Sequence, residues 1–322
     1  MSKKDVRLYF ADFWPGFNVE DNFFVQLLSP HYNLIIDPVS PEFLIYGVYS
    51  STFTKFKNAV KIFFTAENVR PNLSVCDYAL TFDILSDKRH LRLPLYSLYT
   101  SVWGVDALLK PKNIDEIVSQ KTKFCNMVVS NPHAKERLDF FKILGDLKRV
   151  DSGGNVLNNI GYKLGRTVDD KCQFINQYRF TIAFENSSYP GYTTEKIVEP
   201  MRMNSIPIYW GNPRITEEFN PKSFINVHDF STLKEAAEYV IDIDNSPEKY
   251  KALIKEHWFV NNVANEYLNY DRVVSFFQDI INKGRAQLRS RSLAQLAAVS
   301  EVRYKKTKAR ITRKSYCHTS SW

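Results

Sequence analysis

One pattern constrains this chain more than any other. Short runs rich in β-branched and aromatic residues alternate with longer polar stretches, and Pro, Asn or Asp bound the runs. Residues 6–10, 43–48, 60–65 and 78–82 read as strands, with 22–28 and 54–58 as helical connections. Such alternation favours βα units and a parallel sheet. Around Leu109-Lys110-Pro111-Lys112-Asn113 the pattern breaks, and 114–121 looks helical.

The rhythm then resumes. Strands are predicted at 124–129, 149–150, 179–184, 206–210 and 224–227. Helices are predicted at 135–144, 169–178, 195–203 and 233–242, and from 247 onward the chain reads as helix. The expected fold class is α/β, with two Rossmann-like parts in tandem. The expected organisation is a first lobe over 1–118, a second over 119–265, a closing helix over 266–282 and a tail over 283–322. In parallel sheets ligands bind beyond the carboxyl ends of the strands, so those ends are where chemistry is expected.

Charge separates the tail from the rest. The chain of 322 residues carries 43 Lys and Arg against 35 Asp and Glu, a net +8. Eleven of the basic residues and a single acid, Glu301, lie in 283–322. The body is therefore close to neutral, which argues against nucleic acid as its partner. The tail mixes Arg and Lys with Leu and Ala, plus Tyr304, Tyr316 and Trp322. Such a segment suits an anionic membrane surface, where each basic residue contributes about 1 kcal/mol. A disordered basic extension explains it almost as well.

Cys76, Cys125, Cys172 and Cys317 form no CxxC pair and no zinc-like spacing. Dispersed thiols suit a reducing compartment. The first residues pass straight into a strand and are too short and too charged for a signal peptide. The expected location is cytoplasmic, peripheral on the inner membrane face if the tail attaches there.

The densest segment runs from Arg179 to Gly211. It sets Glu185 and Asn186 just past a strand, then a loop with Pro190 and Gly191, then a helix that Thr193 can cap, with Glu195 and Lys196 in its first turn. A helix N-terminus offers free N–H groups and partial positive charge, a ready anion site. Lysine there opposes the helix dipole, which makes sense if a phosphate compensates. Asp242-Ile243-Asp244 spells DxD but falls at the end of a predicted helix, where a solvated acidic helix end is expected. Pro200 inside the helix after Thr193 is expected to kink it.

FENS, GYTTEKI and IPIYWG within this segment resemble the signature of the α1,3/4-fucosyltransferase family, particularly its soluble bacterial members. KIFFTAENVRP, SNPHAKER, GYKLG and NPKSFINVHDF extend the resemblance over roughly residues 60–230. The resemblance implies a GT-B fold with a cleft between its lobes, the first binding the acceptor and the second the donor. It implies inverting transfer from GDP-fucose to the N-acetylglucosamine of a lactosamine-type glycan, with an α1,3 linkage and α1,4 as the alternative. Glu67 matches the general base. Arg137 and Lys196 match the contacts to the donor pyrophosphate. Glu195 matches a carboxylate near the sugar or ribose, and Asn186 and Tyr192 match other donor contacts. Glu185 is expected to be a structural hydrogen-bond acceptor rather than a second base. No metal or cofactor is required, and stimulation by Mn2+ or Mg2+ is left open. Two alternatives stand beside this: a GT-B enzyme using another sugar nucleotide, and a protein whose tail-driven binding to membrane or nucleic acid is its main activity.

Overall fold

A computed structural model describes residues 2–165 and 167–284. The basic tail from 285, with Cys317 and the anticipated membrane contact, lies outside the described residues. The chain divides into two compact units. One is formed by the chain up to Leu93 together with the chain from Asn269, the other by Pro94–Leu268.

The first unit contains β1 (Lys4–Ala11), α1 (Phe23–Leu28), β2 (Tyr32–Ile36), β3 (Phe43–Tyr46), β4 (Val60–Phe64), β5 (Tyr78–Thr81) and β6 (His90–Arg92). The strands form one sheet in the order β2-β1-β3-β4-β5-β6, and every neighbouring pair is parallel. All four residues of β3 and of β5 are buried, as expected of strands covered on both faces. β2 and β6 were not anticipated. β2 alternates between half-buried and exposed positions, and β6 has only three residues, so neither forms a continuous apolar run. The helix expected at 54–58 is a 3-10 turn at Thr52–Lys55.

The second unit begins with three helices, α2 (Leu95–Trp103), α3 (Asp106–Leu109) and α4 (Ile114–Gln120). It continues through β7 (Lys123–Met127), α5 (Lys135–Leu147), β8 (Val150–Ser152), α6 (Val168–Ile175), β9 (Tyr178–Phe184), α7 (Glu195–Arg202), β10 (Ile206–Trp210), β11 (Ile225–Asn226), α8 (Leu233–Asn245) and α9 (Pro247–Lys255). Its sheet is again wholly parallel, in the order β11-β10-β9-β7-β8. The helices of 95–120, anticipated with the first lobe, group here with the second sheet. A final helix, α10 (Asp271–Lys283), returns to the first unit. It buries Val273, Val274, Phe277, Ile280 and Ile281 along one stripe.

Two details position the loops that matter below. Lys121, just past α4, is buried, and its Nζ donates to the Asn176 and Met203 carbonyls, at 2.7 Å and 2.5 Å. These residues close the C-termini of α6 and α7, where a cation also meets the negative ends of the helix dipoles. In the first unit, Gly47 follows β3 so closely that a Cβ there would lie 2.5 Å from the Asp12 carbonyl oxygen. Gly47→Ala is expected to lower stability by about 2 kcal/mol, because backbone must move to admit the methyl group. Urea unfolding followed by tryptophan fluorescence checks this.

Candidate active site

The second unit gathers its charged side chains beyond the carboxyl end of β9. This strand lies at the centre of its sheet and is buried along nearly its whole length. Glu185 follows directly and has no exposed surface. Its Oε1 accepts the Thr194 N–H at 2.7 Å and its Oε2 the Thr194 hydroxyl at 2.7 Å. It is thus the structural acceptor the sequence suggested. A Cβ on residue 211 would stand 2.4 Å from Glu185 Cγ, so glycine there makes room for the carboxylate.

The cap of α7 differs from expectation. Thr194, not Thr193, holds the N-cap position, and its side chain makes no capping bond within the helix. The Thr193 hydroxyl instead donates to Glu218 Oε1 at 3.2 Å and accepts Asn212 Nδ2 at 3.0 Å. Asn212 also accepts the Gly191 N–H at 2.7 Å, which secures the loop before α7. Sequence reasoning passed over this asparagine, although its place directly after the run IPIYWG was a signal. α7 runs on through Pro200 to Arg202. Pro200 stands so near the end that only the Lys196 carbonyl loses an intrahelical donor. Its own carbonyl accepts the N–H groups of Met203 and Ser205 at 3.0 Å and 2.9 Å.

Lys196 and Glu195 share the first turn of α7, both partly buried. Lys196 Nζ donates to Thr194 Oγ1 at 2.8 Å and lies 3.2 Å from Glu195 Oε1 and 3.3 Å from Glu185 Oε2. Burial works against the ammonium, but the Glu185 and Glu195 carboxylates outweigh it and hold Lys196 above its ordinary value. Burial likewise opposes the Glu195 anion. Lys196, Lys171 and its own backbone N–H overcome that and bring it down to about 2. Lys171 is also ion-paired with the buried Glu199, one turn further along α7.

Arg137 lies on α5, and the structure buries it almost completely. Its Nε and Nη2 donate to the Phe184 carbonyl at 3.0 Å and 2.6 Å, and Nη2 donates to Asn186 Oδ1 at 2.9 Å. Its Nη1 is buried without a hydrogen-bond partner among the described residues. Burial lowers the guanidinium from its ordinary value, while Glu185, Tyr192 and Glu195 support its charge. Lys196 feels the positive charge of Arg137 as well. Tyr192 is buried in the same loop, its N–H donating to the Tyr189 carbonyl at 3.0 Å. Arg137, Asn186, Tyr192, Glu195 and Lys196 thus come together in one unit. Two mutually repelling cations, one with an unused donor, stand near a helix N-terminus, and this arrangement suits an anion with several oxygens.

Glu67 belongs to the first unit, three residues beyond the end of β4. Its N–H donates to Thr65 Oγ1 at 3.0 Å, and its Oε1 accepts the Tyr49 hydroxyl at 3.1 Å. Tyr49 was not singled out in the sequence.

The DxD stretch departs from its expected role. Asp244 is buried inside α8, and its carboxylate accepts Lys148 Nζ and Arg179 Nη1, each at 2.5 Å. Asp242 pairs with Lys249 at 2.6 Å. It is not simply a solvated helix end, because one of its acids anchors α5 and β9 to α8. Among the described residues no group of three or more His, Cys, Asp or Glu side chains is placed to hold a metal ion. None of the described helices is long and apolar enough to cross a membrane.

Two parallel α/β units, the second with its cations gathered beyond the central strand, form a GT-B-like fold. Residues 8–99 match the family model for the N-terminal domain of alpha-(1,3)-fucosyltransferase FucT. Residues 118–283 match the C-terminal model of glycosyltransferase family 10 (fucosyltransferase). The chain belongs to glycosyltransferase family 10. It is 31% identical to the alpha-(1,3)-fucosyltransferase FucT of Helicobacter pylori, over 87% of this chain and 66% of that protein. A crystal structure of an alpha1,3-fucosyltransferase matches with a TM-score of 0.75 and 29% identity, covering 87% of this chain and 91% of that one. A structure of alpha1,3-fucosyltransferase with GDP-fucose matches with a TM-score of 0.73, 29% identity and the same coverage. The chain spans less than two thirds of the length of the curated relatives it matches.

The depressed value of Glu195 links it to stability. Its folded value of about 2 lies below the ordinary 4.5. Its ionic contribution is therefore complete above pH 4.5 and lost as pH falls towards 2. The difference in urea midpoint between wild type and Glu195→Gln is expected to stay constant from pH 7 to about 5 and to shrink as pH is lowered below 4.5 towards 2.

Proposed function

We propose that the protein is an inverting fucosyltransferase that moves L-fucose from GDP-β-L-fucose to the N-acetylglucosamine of a lactosamine-type glycan. The product linkage on this reading is α1,3, with α1,4 as the alternative. The observation that carries it is the cluster of Arg137, Asn186 and Lys196 at the start of α7, with its buried, unused guanidinium donor. Family membership and the likeness to a structure described with GDP-fucose support the choice of donor.

In this reading Glu67 takes the proton from the acceptor hydroxyl. The acceptor oxygen attacks C1 of fucose from the face opposite the nucleotide, the bond from C1 to the β-phosphate oxygen breaks, and GDP departs with the electron pair. Attack from the opposite face turns the β-linked donor into an α-linked product. Arg137 and Lys196 stabilise the negative charge that grows on the leaving diphosphate, usually the largest catalytic contribution. Arg137 would contribute through Nη1, the guanidinium donor its bonds to the Phe184 carbonyl and Asn186 leave unused. Glu195, held below the ordinary carboxylate range by Lys196 and Lys171, is ionised at working pH and on this reading offsets positive charge on the sugar ring or holds the ribose. Asn186 and Tyr192 complete the donor pocket. The two cations supply the charge that a divalent ion would bring, so metal stimulation of turnover is an open addition rather than a requirement.

Incubation with GDP-fucose and type 1 and type 2 disaccharides tests the reading. The expected outcome is an α1,3-fucosylated type 2 product by NMR, none from GDP-mannose or UDP-sugars, and a rate 10²–10⁴-fold lower for Glu67→Gln. Transfer from another sugar nucleotide would favour the alternative GT-B enzyme. For Lys196→Ala, calorimetry is expected to show GDP affinity at least about 10-fold weaker, from the loss of one charge-assisted contact. Unchanged affinity would remove Lys196 from the phosphate site.

A further inference from the structure

Tyr49 and Glu67 occupy matching places in neighbouring loops. Tyr49 is three residues beyond Tyr46, the last of β3, and Glu67 three beyond Phe64, the last of β4. β3 and β4 are parallel neighbours that pair Tyr46 with Phe63, so their loops leave the sheet side by side. The Tyr49 hydroxyl spans the gap to Glu67 Oε1 at 3.1 Å.

The phenol is held from behind. The Tyr49 N–H donates to the Asp12 carbonyl at 2.9 Å, and its ring meets that of Trp14 nearly edge-on, with centroids 6.4 Å apart. Asp12 has a positive φ of 61° and organises the rest of the loop. Its carboxylate accepts the Ser50 hydroxyl, the Thr52 N–H at 2.8 Å and the Phe53 N–H at 2.9 Å. Tyr49 also helps to wall a small apolar recess with Phe13, Trp14, Val48, Phe64 and Thr65. Apolar walls limit water's competition for the bond between phenol and carboxylate. Burial, and then the Glu67 charge, push the phenol well above its ordinary value, so at neutral pH it stays a hydrogen-bond donor.

We propose that Tyr49 is a positioning residue for Glu67, fixing the direction from which that carboxylate meets the acceptor hydroxyl. The proposal rests on the reading of Glu67 as the base. A glutamate has several freely rotating bonds, and a base acts only when it lies within hydrogen-bond reach of the proton it removes. The sheet supplies that constraint through Asp12, the 47–53 loop and the Tyr49 hydroxyl. Tyr49 need not touch substrate to do this.

The test compares wild type, Tyr49→Phe, Glu67→Gln and the double variant with GDP-fucose and a type 2 disaccharide, using radiolabelled donor so that slow rates stay measurable. Tyr49→Phe keeps the ring and its packing. It is expected to lower kcat about 10-fold, as loss of one hydrogen bond to a charged group would, with the KM for GDP-fucose and the melting temperature unchanged. In the Glu67→Gln background the same change is expected to cost little more, because the two residues act as one unit. Wild-type kcat in Tyr49→Phe beside a crippled Glu67→Gln would overturn the positioning role and leave the base standing. An undiminished 10-fold loss in the double variant would overturn it too, since Tyr49 would then act elsewhere. A Glu67→Gln protein at the wild-type rate would sink both readings at their root.

Discussion

Glu185 sits at the carboxyl end of β9 with no solvent contact, and a carboxylate is tolerable there only because Thr194 and Lys196 meet it. An unpaired buried charge would cost several kcal/mol. The constraint therefore runs both ways: the strand end holds the acid, and the acid fixes where the next helix begins. α7 has eight residues, too few to be stable alone in water. Its position comes from its surroundings. Glu185 takes the Thr194 N–H at one end and Lys121 takes the Met203 carbonyl at the other. Between them Ile197, Val198 and Met201 are buried in the core. With both ends gripped and one stripe buried, the first turn and its two charged residues are carried on a rigid element, as a binding constellation requires.

The electrostatics of that turn are closely balanced. Lys196 and Arg137 repel each other, and Glu185 and Glu195 hold them in place. A site made of cations alone would be strained without its ligand, and one fully neutralised would have nothing left to offer. Here the acids are committed to Thr194 and to Lys196, while the Arg137 Nη1 donor keeps unused capacity. On the proposed reading the diphosphate completes a network that is already folded. Binding would then order little that was disordered, which favours affinity for the charge that develops on the leaving group.

How much of this was legible depends on whether the cause was local. The run YRFTIAF and the helix after it could be read directly, because burial on both faces of a central strand favours a stretch dense in aromatic and apolar residues. Arg137 was legible as a family match, but its burial was not drawn from the pattern. The signal was present, since Arg137, Phe140 and Leu144 share the buried face of α5 at spacings of three and four. The same periodicity puts Asp244 beside Ala236, Ala237, Val240 and Ile243 on the buried face of α8. The literal DxD spelling concealed this. Tyr49 and Asp12 are different. Asp12 reaches Thr52 across forty positions and Tyr49 reaches Glu67 across eighteen. Nothing in the local pattern of either segment announces such a meeting, and only the order of the strands brings it about.

The two units solve a common problem in the same way. A loop leaving a parallel strand has backbone N–H groups that the sheet no longer pairs, and burying them unpaired is costly. In the first unit Asp12 gathers the N–H groups of Thr52 and Phe53, and in the second Glu185 gathers that of Thr194. Each is a buried carboxylate at the carboxyl end of its sheet, and each holds a loop or helix start that presents a more exposed side chain. The difference in exposure separates the roles. Asp12 and Glu185 are spent on the protein's own backbone, whereas Glu67, Glu195 and Lys196 keep surface from which to meet another molecule. An acid beside a strand end is therefore weak evidence of chemistry by itself. What distinguishes the candidate base from the organising acids is the surface each keeps, since Glu67 is only half-buried while Asp12 and Glu185 are buried.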